Sequence, residues 1–304
     1  MFQHTSSIQP IFQALEVTRP ECRFDSVDVV MSHMVLTRLL LFCGVAAAPF
    51  RINASLIHDS LVLKYCPERV QPERASLGLQ FEEATSSYPK GLEDSHNHWR
   101  VLRYRLGPLK RVVYYEADAT TEPYACVLSV ASGLGSAGDS GIPAREGSSA
   151  AVVVVRGHLT DQEHAVEIKC TERPYGRSPR NSKLWAGCVN HLLLGRLADG
   201  EIIWTRMVDV RQRVAQWSRV HDKQEALSRL PALISELKDA VRATPNGRAA
   251  LVFRGVGLGE VRAEVEAEVD VYSLGQDEGC VISRAMTNKF WNASGRKKAQ
   301  GRGR

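Results

Sequence analysis

The chain has 304 residues, 44% of them apolar, and a formal charge of +5 from 39 basic against 34 acidic side chains. This makes it globular, with a sizeable core in one large or two small domains, and the modest charge permits a nucleic-acid partner without requiring one. Seven cysteines, at 22, 43, 66, 126, 170, 188 and 280, form no C-x-x-C pair. A zinc site is therefore not expected, and a reducing, intracellular compartment, nucleus or cytoplasm, is.

The first residues, MFQHTSSIQP, lack a basic region followed by an apolar stretch, so no signal peptide is expected. The longest apolar run, LLLFCGVAAAPF at 39–50, is shorter than the ~20 residues that span a bilayer and reads as a buried helix or strand, with no membrane partner. Residues 1–70 mix Pro, Ser and apolar residues without a sustained period; a helix at 54–64 is read and the rest is expected to be a variable N-terminal region. LGLQFEEATS at 77–86 predicts a helix with Leu77, Phe81 and Ala84 on one side, ended by Pro89 and Gly91. HWRVLRYRLG at 98–107 and RVVYYEADA at 111–119 predict a hairpin turned at Gly107-Pro108, and TEPYACVLSV a third strand.

Residues 131–149 are rich in Gly and Ser and read as a flexible insertion. AVVVVRGHLTDQEHAVEIKC at 151–170 then reads as two strands around a polar turn, and SKLWAGCVNHLLLG at 182–195 as a helix closed by Gly195. Leu227, Leu230, Ile234, Leu237 and Val241 form an apolar helical stripe with Pro231 as an irregularity. Late strands are expected at 248–254 and 260–272, where Glu264, Glu266 and Glu268 alternate as a solvated face; GVGLGE at 255–260 lies between them as a turn, not a dinucleotide loop. The core is thus placed at 71–275 and residues 276–304, ending in GRKKAQGRGR, form a basic disordered tail suited to a nucleic-acid contact or an import signal.

Chemistry concentrates on two strands. In HAVEIKC at 164–170, Glu167 and Lys169 are two apart and share a strand face, as do Glu116 and Asp118 in YYEADA. Two acids on one face repel unless a cation or base compensates them. If the two strands are neighbours, Glu116, Asp118 and Glu167 converge on a hard, oxygen-liganded Mg²⁺ or Mn²⁺ with Lys169 beside the attacking water, the logic of a PD-(D/E)XK nuclease. The plainer reading is a surface strand with one ion pair. Arg103 and Arg105, on one face of the preceding strand, are candidate phosphate contacts. No D-D-x-x-D occurs in the chain, which excludes a prenyl-diphosphate synthase.

FEEA at 81–84, HWRVLRYRLGPLKRVVYYEAD at 98–118, AVEIKC at 165–170, KLWAG at 183–187 and VDVRQRVAQWSRVHDKQEALSRLPALI at 208–234 resemble a group of fungal proteins. That group is in turn similar to a divergent branch of the DXO-type RNA decapping and 5′-end surveillance nucleases. The likeness covers roughly residues 75–245. It implies an α+β fold with a mixed central sheet flanked by helices, and a metal-dependent phosphodiesterase acting on RNA 5′ ends. Phe81-Glu82 resembles that family's Phe-Glu at a helix end, Glu116 and Asp118 its Glu-x-Asp strand, and Glu167 and Lys169 its Glu-Leu-Lys strand. The resemblance therefore implies Glu82, Glu116, Asp118 and Glu167 around Mg²⁺ or Mn²⁺, with Lys169 and Glu167 as catalytic residues and RNA as partner. Two departures stand out: Trp185 is followed by Ala186, Gly187 and Cys188 where the family has a glutamine, and its Trp-Arg-Gly element is not recognisable. A catalytically silent nucleic-acid- or protein-binding module on the same fold is the alternative.

Overall fold

The computed structural model describes residues 8–44, 48–67, 77–95, 97–121, 153, 156–157, 159–172, 181–255, 268–275, 278 and 282–291. In chain order the elements are α1 (Gln9–Thr18), β1 (Val29–Ser32), α2 (His33–Cys43), β2 (Phe50–Ile57), β3 (Ser60–Cys66), α3 (Leu77–Thr85), β4 (Trp99–Leu106), β5 (Leu109–Glu116) and β6 (Ala119–Thr120). They continue with β7 (Ala165–Thr171), α4 (Asn181–Ala186), β8 (His191–Ala198), β9 (Glu201–Asp209), α5 (Arg211–Arg219), α6 (His221–Arg242), β10 (Arg248–Phe253), β11 (Val269–Ser273) and α7 (Arg284–Phe290). The protein is α+β with a large mixed sheet and flanking helices, as the resemblance implies. Among the described residues no helix is long and apolar enough to cross a membrane.

Two compact units partition the chain, one from residues 1–70, 101–114 and 221–304, the other from 71–100 and 115–220. The first holds a seven-stranded sheet in the order β11-β10-β2-β3-β1-β5-β4. β1 runs parallel to β3 and to β5, whereas β2–β3, β2–β10 and β10–β11 are antiparallel. Val29, Val30 and Met31 are all buried, because a parallel strand in mid-sheet is covered on both faces and needs a continuous apolar run. One end of the core is aromatic: the rings of Phe12 and Phe290 lie 5.1 Å apart, those of Phe24 and Trp291 5.3 Å. Within it Trp291 Nε1 donates to Ser60 Oγ at 2.7 Å and Ser60 Oγ donates to the Val27 carbonyl at 2.6 Å, so the buried polar atoms are paired. Phe50 and Phe253 are cross-strand partners with rings stacked at 4.3 Å.

The second unit carries the sheet β6-β7-β8-β9. β7 and β8 are parallel; β6–β7 and β8–β9 are antiparallel. β8 and β9 are joined by Asp199-Gly200 with φ of 53° and 82°, the positive pair that a two-residue hairpin turn requires. In its core Phe81 of α3 packs with Val166, Ile168 and Leu197.

Several expectations are corrected. Residues 54–64 are not a helix but the hairpin β2–β3, turned at His58-Asp59 with His58 at φ 53°. The consecutive apolar residues Leu61, Val62 and Leu63 are all buried, as in a strand covered on both faces rather than a helix with one apolar side. Residues 8–66, read as irregular and variable, supply α1, α2 and three core strands. Residues 182–195 are not one helix: α4 stops at Ala186 and Gly195 lies inside β8, where an added Cβ would stand 2.1 Å from the Phe81 ring. The expected disordered tail begins instead with α7, whose Phe290 and the following Trp291 are core residues. On α3 only Phe81 is buried, Leu77 and Ala84 being exposed.

Other expectations stand. The β4–β5 hairpin turns at Gly107-Pro108. α6 runs unbroken through Pro231, and Ala226, Leu230, Ile234, Leu237 and Val241 form its buried stripe, with Ala226 in place of the partly buried Leu227. The third strand after residue 121, the insertion 131–149, the strand before residue 156, Glu264, Glu266, residues 256–260 and the basic stretch 295–304 lie outside the described residues.

Candidate functional site

The second unit places four of the predicted side chains on or beside β7. β6 is a short strand pairing Ala119 with Val166 and Thr120 with Ala165. Asp118, just before it, extends this ladder with its side chain: Oδ2 accepts from the Ile168 N–H at 2.8 Å and from Lys169 Nζ at 3.3 Å. Lys169 Nζ also stands 2.8 Å from Glu167 Oε1 and donates to the Ile168 carbonyl at 2.6 Å. One ammonium thus joins two carboxylates from two segments. The strand expected at 111–119 is, however, divided: β5 ends at Glu116 and belongs to the seven-stranded sheet, only the short β6 pairs with β7, and Glu116 and Asp118 therefore do not share one strand face. Glu167 is buried, 2% exposed.

Glu82 is the third acid of the group. α3 is anchored by Phe81, the residue before it, whose ring fits against the bare backbone of Gly195 in β8. Burial, then the charge of Asp118, with Glu167 adding and Lys169 and Lys183 opposing, pushes the Glu82 carboxyl up to about 7. Burial pulls the Lys169 amine down, but Glu167 and Asp118 outweigh it and raise its pKa; the group is an ammonium throughout the neutral range. Glu116 ends β5 and is exposed. It acts on the same surroundings as Glu82, since the Tyr88 phenol is raised by burial and then by Glu116 and Glu82.

Sequence reasoning missed two residues. Lys183 of α4 places its Nζ on Glu167 Oε1, giving that oxygen a second ammonium. Gln162 donates from Nε2 to Tyr115 Oη at 2.7 Å and to the Gly187 carbonyl at 2.8 Å, while its Oε1 accepts from Arg100 at 3.3 Å. A glutamine amide therefore fixes the turn after α4 at the point where the sequence itself has Gly187. KLWAG contains Lys183, but no local spacing links it to Glu167. Arg103 and Arg105 alternate on β4 in the other unit and both are exposed; the Arg103 guanidinium is held by Ser26 Oγ at 2.7 Å and the Arg23 carbonyl at 3.2 Å.

Chemically, the cluster is three carboxyl groups and two ammonium groups around a buried Glu167. Among the described residues, no group of three or more His, Cys, Asp or Glu is arranged to hold a metal ion as it stands; ammonium groups occupy the Glu167 oxygen instead.

The chain belongs to a family described as a domain of unknown function, DUF8563, whose model matches residues 3–291. No curated protein sequence matches it. Its fold is that of Rai1 and Dxo1 structures. S. pombe Rai1, solved with 3′-FADP, superposes with a TM-score of 0.54 at 13% identity over 82% of this chain and 74% of that one. Candida albicans Rai1, solved with pU5-Mn²⁺, gives 0.54 at 13% over 92% and 78%. K. lactis Dxo1, solved with manganese, gives 0.52 at 9% over 88% and 71%.

Proposed function

We propose that the chain is a divalent-metal-dependent phosphodiesterase acting at RNA 5′ ends, with the cluster on Lys169 as its reacting centre. The observation that carries this reading is the meeting of Asp118 Oδ2 and Glu167 Oε1 on Lys169 Nζ, at 3.3 and 2.8 Å, with Glu82 in their field. Support of a different kind comes from neighbours of the same fold solved with pU5-Mn²⁺ or with manganese.

The residues present fit Mg²⁺ or Mn²⁺ in kind. Every candidate donor, Glu82, Glu116, Asp118 and Glu167, is a hard carboxylate. Glu82, raised by burial first and by Asp118 second, also marks a place where a cation would stabilise the ionised acid. When bound, such a cation polarises a phosphoryl oxygen and acidifies water. The chain's own residues do the rest. Asp118, fixed by the Ile168 N–H, and Glu167, fixed by burial, set the Lys169 ammonium in place. Because Lys169 stays protonated, it serves as a hydrogen-bond donor and counter-charge to a water or phosphate oxygen, not as a base. Arg103 and Arg105 are proposed to meet phosphates of the RNA. The free Cys22, Cys43, Cys66, Cys170 and Cys188 suit an intracellular setting, nucleus or cytoplasm.

A second reading, a silent RNA- or protein-binding module, is favoured by one observation: Glu167 is already neutralised by two ammonium groups. Incubation with 5′-triphosphate, 5′-monophosphate and NAD-capped RNA in Mn²⁺ separates the two. On the enzyme reading Lys169→Ala lowers turnover ~100-fold or more while keeping the rise in Tm on adding Mn²⁺; Glu167→Ala loses both. Wild-type protein that binds RNA and Mn²⁺ but releases no product from any of these ends establishes the binding module instead.

A further inference from the structure

Lys169 sits on the same strand as Glu167 and is held three ways, by Glu167, by Asp118 and by the Ile168 carbonyl. Lys183 differs on each count. It reaches Glu167 from a separate helix and, among the described residues, is held by that carboxylate alone, although its side chain is no more open than that of Lys169, at 28% against 38% exposed. A buried carboxylate needs a compensating positive charge, and an ammonium provides one. A divalent cation would satisfy the same carboxylate, but its Oε1 already carries two ammonium groups, so a further cation there is repelled by both and the less anchored ammonium is the one to yield. A lysine on a flexible four-carbon stem held at one carboxylate can leave by changing rotamer, without moving the backbone.

We infer that Lys183 neutralises Glu167 in the metal-free protein and is displaced when a divalent cation binds, so that this side chain sets the metal affinity of the site. The inference rests on the reading of Glu167 as a metal ligand. It accounts for how a carboxylate only 2% exposed is kept in the fold before any metal arrives. It also makes Lys183 a competitor built into the chain: the ammonium leaves Glu167 only when the cation repays its loss.

Mn²⁺ titration followed by electron paramagnetic resonance of the free ion reads this without any assay of activity. Lys183→Met keeps the length and apolar stem of the side chain and removes its charge. The expected result is Mn²⁺ binding roughly tenfold tighter than in wild type, from the loss of a like charge next to the ion. Lys183→Arg should bind like wild type, and Glu167→Gln should not bind. Wild-type binding with equal or weaker binding by Lys183→Met overturns the role of Lys183 and leaves the metal site standing. Absence of binding in both overturns the metal site and this inference with it. Should Lys183→Met fail to fold, the wild-type protein supplies the same decision: reductive methylation with formaldehyde and cyanoborohydride, read by mass spectrometry, should modify Lys183 several-fold faster with saturating Mn²⁺ than in EDTA. An unchanged rate overturns the displacement.

Discussion

Each unit buries a polar side chain in its core, and the two solve the problem differently. In the first, Ser60 is enclosed by aromatic rings and settled by neutral partners, receiving a hydrogen bond from Trp291 and giving one to the Val27 carbonyl. In the second, Glu167 is settled by the ammonium groups of Lys169 and Lys183. A hydroxyl paired with neutral groups is indifferent to pH and ions over the range in which proteins are handled. A buried carboxylate is not, because whatever compensates it is a charge that solution conditions can change. Stability around Ser60 should therefore follow apolar volume, and around Glu167 the state of the charged cluster.

The largest effect expected is on the aromatic core. Trp291→Ala removes a buried indole packed on Phe12 and Phe24 and leaves Ser60 without its donor. A loss of about 3–5 kcal/mol is expected, measured by urea unfolding. A loss no larger than that of an exposed-site substitution would remove the contrast drawn above.

A smaller effect belongs to Gly195. An alanine there would put its Cβ 2.1 Å from Phe81 Cζ, and since the ring is buried one of them must shift, at about 1–3 kcal/mol. Because Phe81 precedes Glu82, the same change should weaken Mn²⁺ binding. Phe81→Leu makes room, so its cost should be less in the Gly195→Ala background than alone, a coupling that a double-mutant cycle measures. Additive costs would show that the ring does not depend on the missing side chain.

Which of these features could be read beforehand follows from how local their signals are. The Glu167-Lys169 alternation, the β4–β5 hairpin at Gly107-Pro108 and the α6 stripe are set by residues a few positions apart, and their spacing is legible. The meeting of Asp118 with Lys169 is made by the two-residue β6 beside β7 and not by the expected pairing of the whole strand 111–119, because β5, ending at Glu116, belongs to the other sheet. Gly195 was misread because Leu192, Leu193 and Leu194 before a glycine suit either a helix end or a strand. The deciding signal was the Asp199-Gly200 turn a few residues on, a strong mark of a hairpin. The β2–β3 turn gave less notice, since His58 with positive φ is an unusual choice. Lys183 and Gln162 could not be found at all: both act through contacts made only once separate segments have packed, and neither belongs to a recognisable spacing.

The smallest effect tests whether the acids share one field. The Glu82 carboxyl has a folded value of about 7 against an ordinary 4.5, from burial first and then from Asp118. Between those values the folded chain holds a proton that the unfolded chain has released. Metal-free protein therefore loses stability as pH rises through that window, and the loss is complete above the folded value. Glu82→Gln cannot titrate there. In EDTA, denaturant unfolding should give variant and wild type nearly equal stability below the window, with the variant pulling ahead through it and holding a constant lead beyond. Saturating Mn²⁺ should shrink that lead, because the cation stabilises the ionised wild-type acid and has nothing to gain from the amide. A lead that does not change with pH would mean that Glu82 is neither desolvated nor in the field of Asp118 and Glu167, and that the group around Lys169 and Lys183 stands without it.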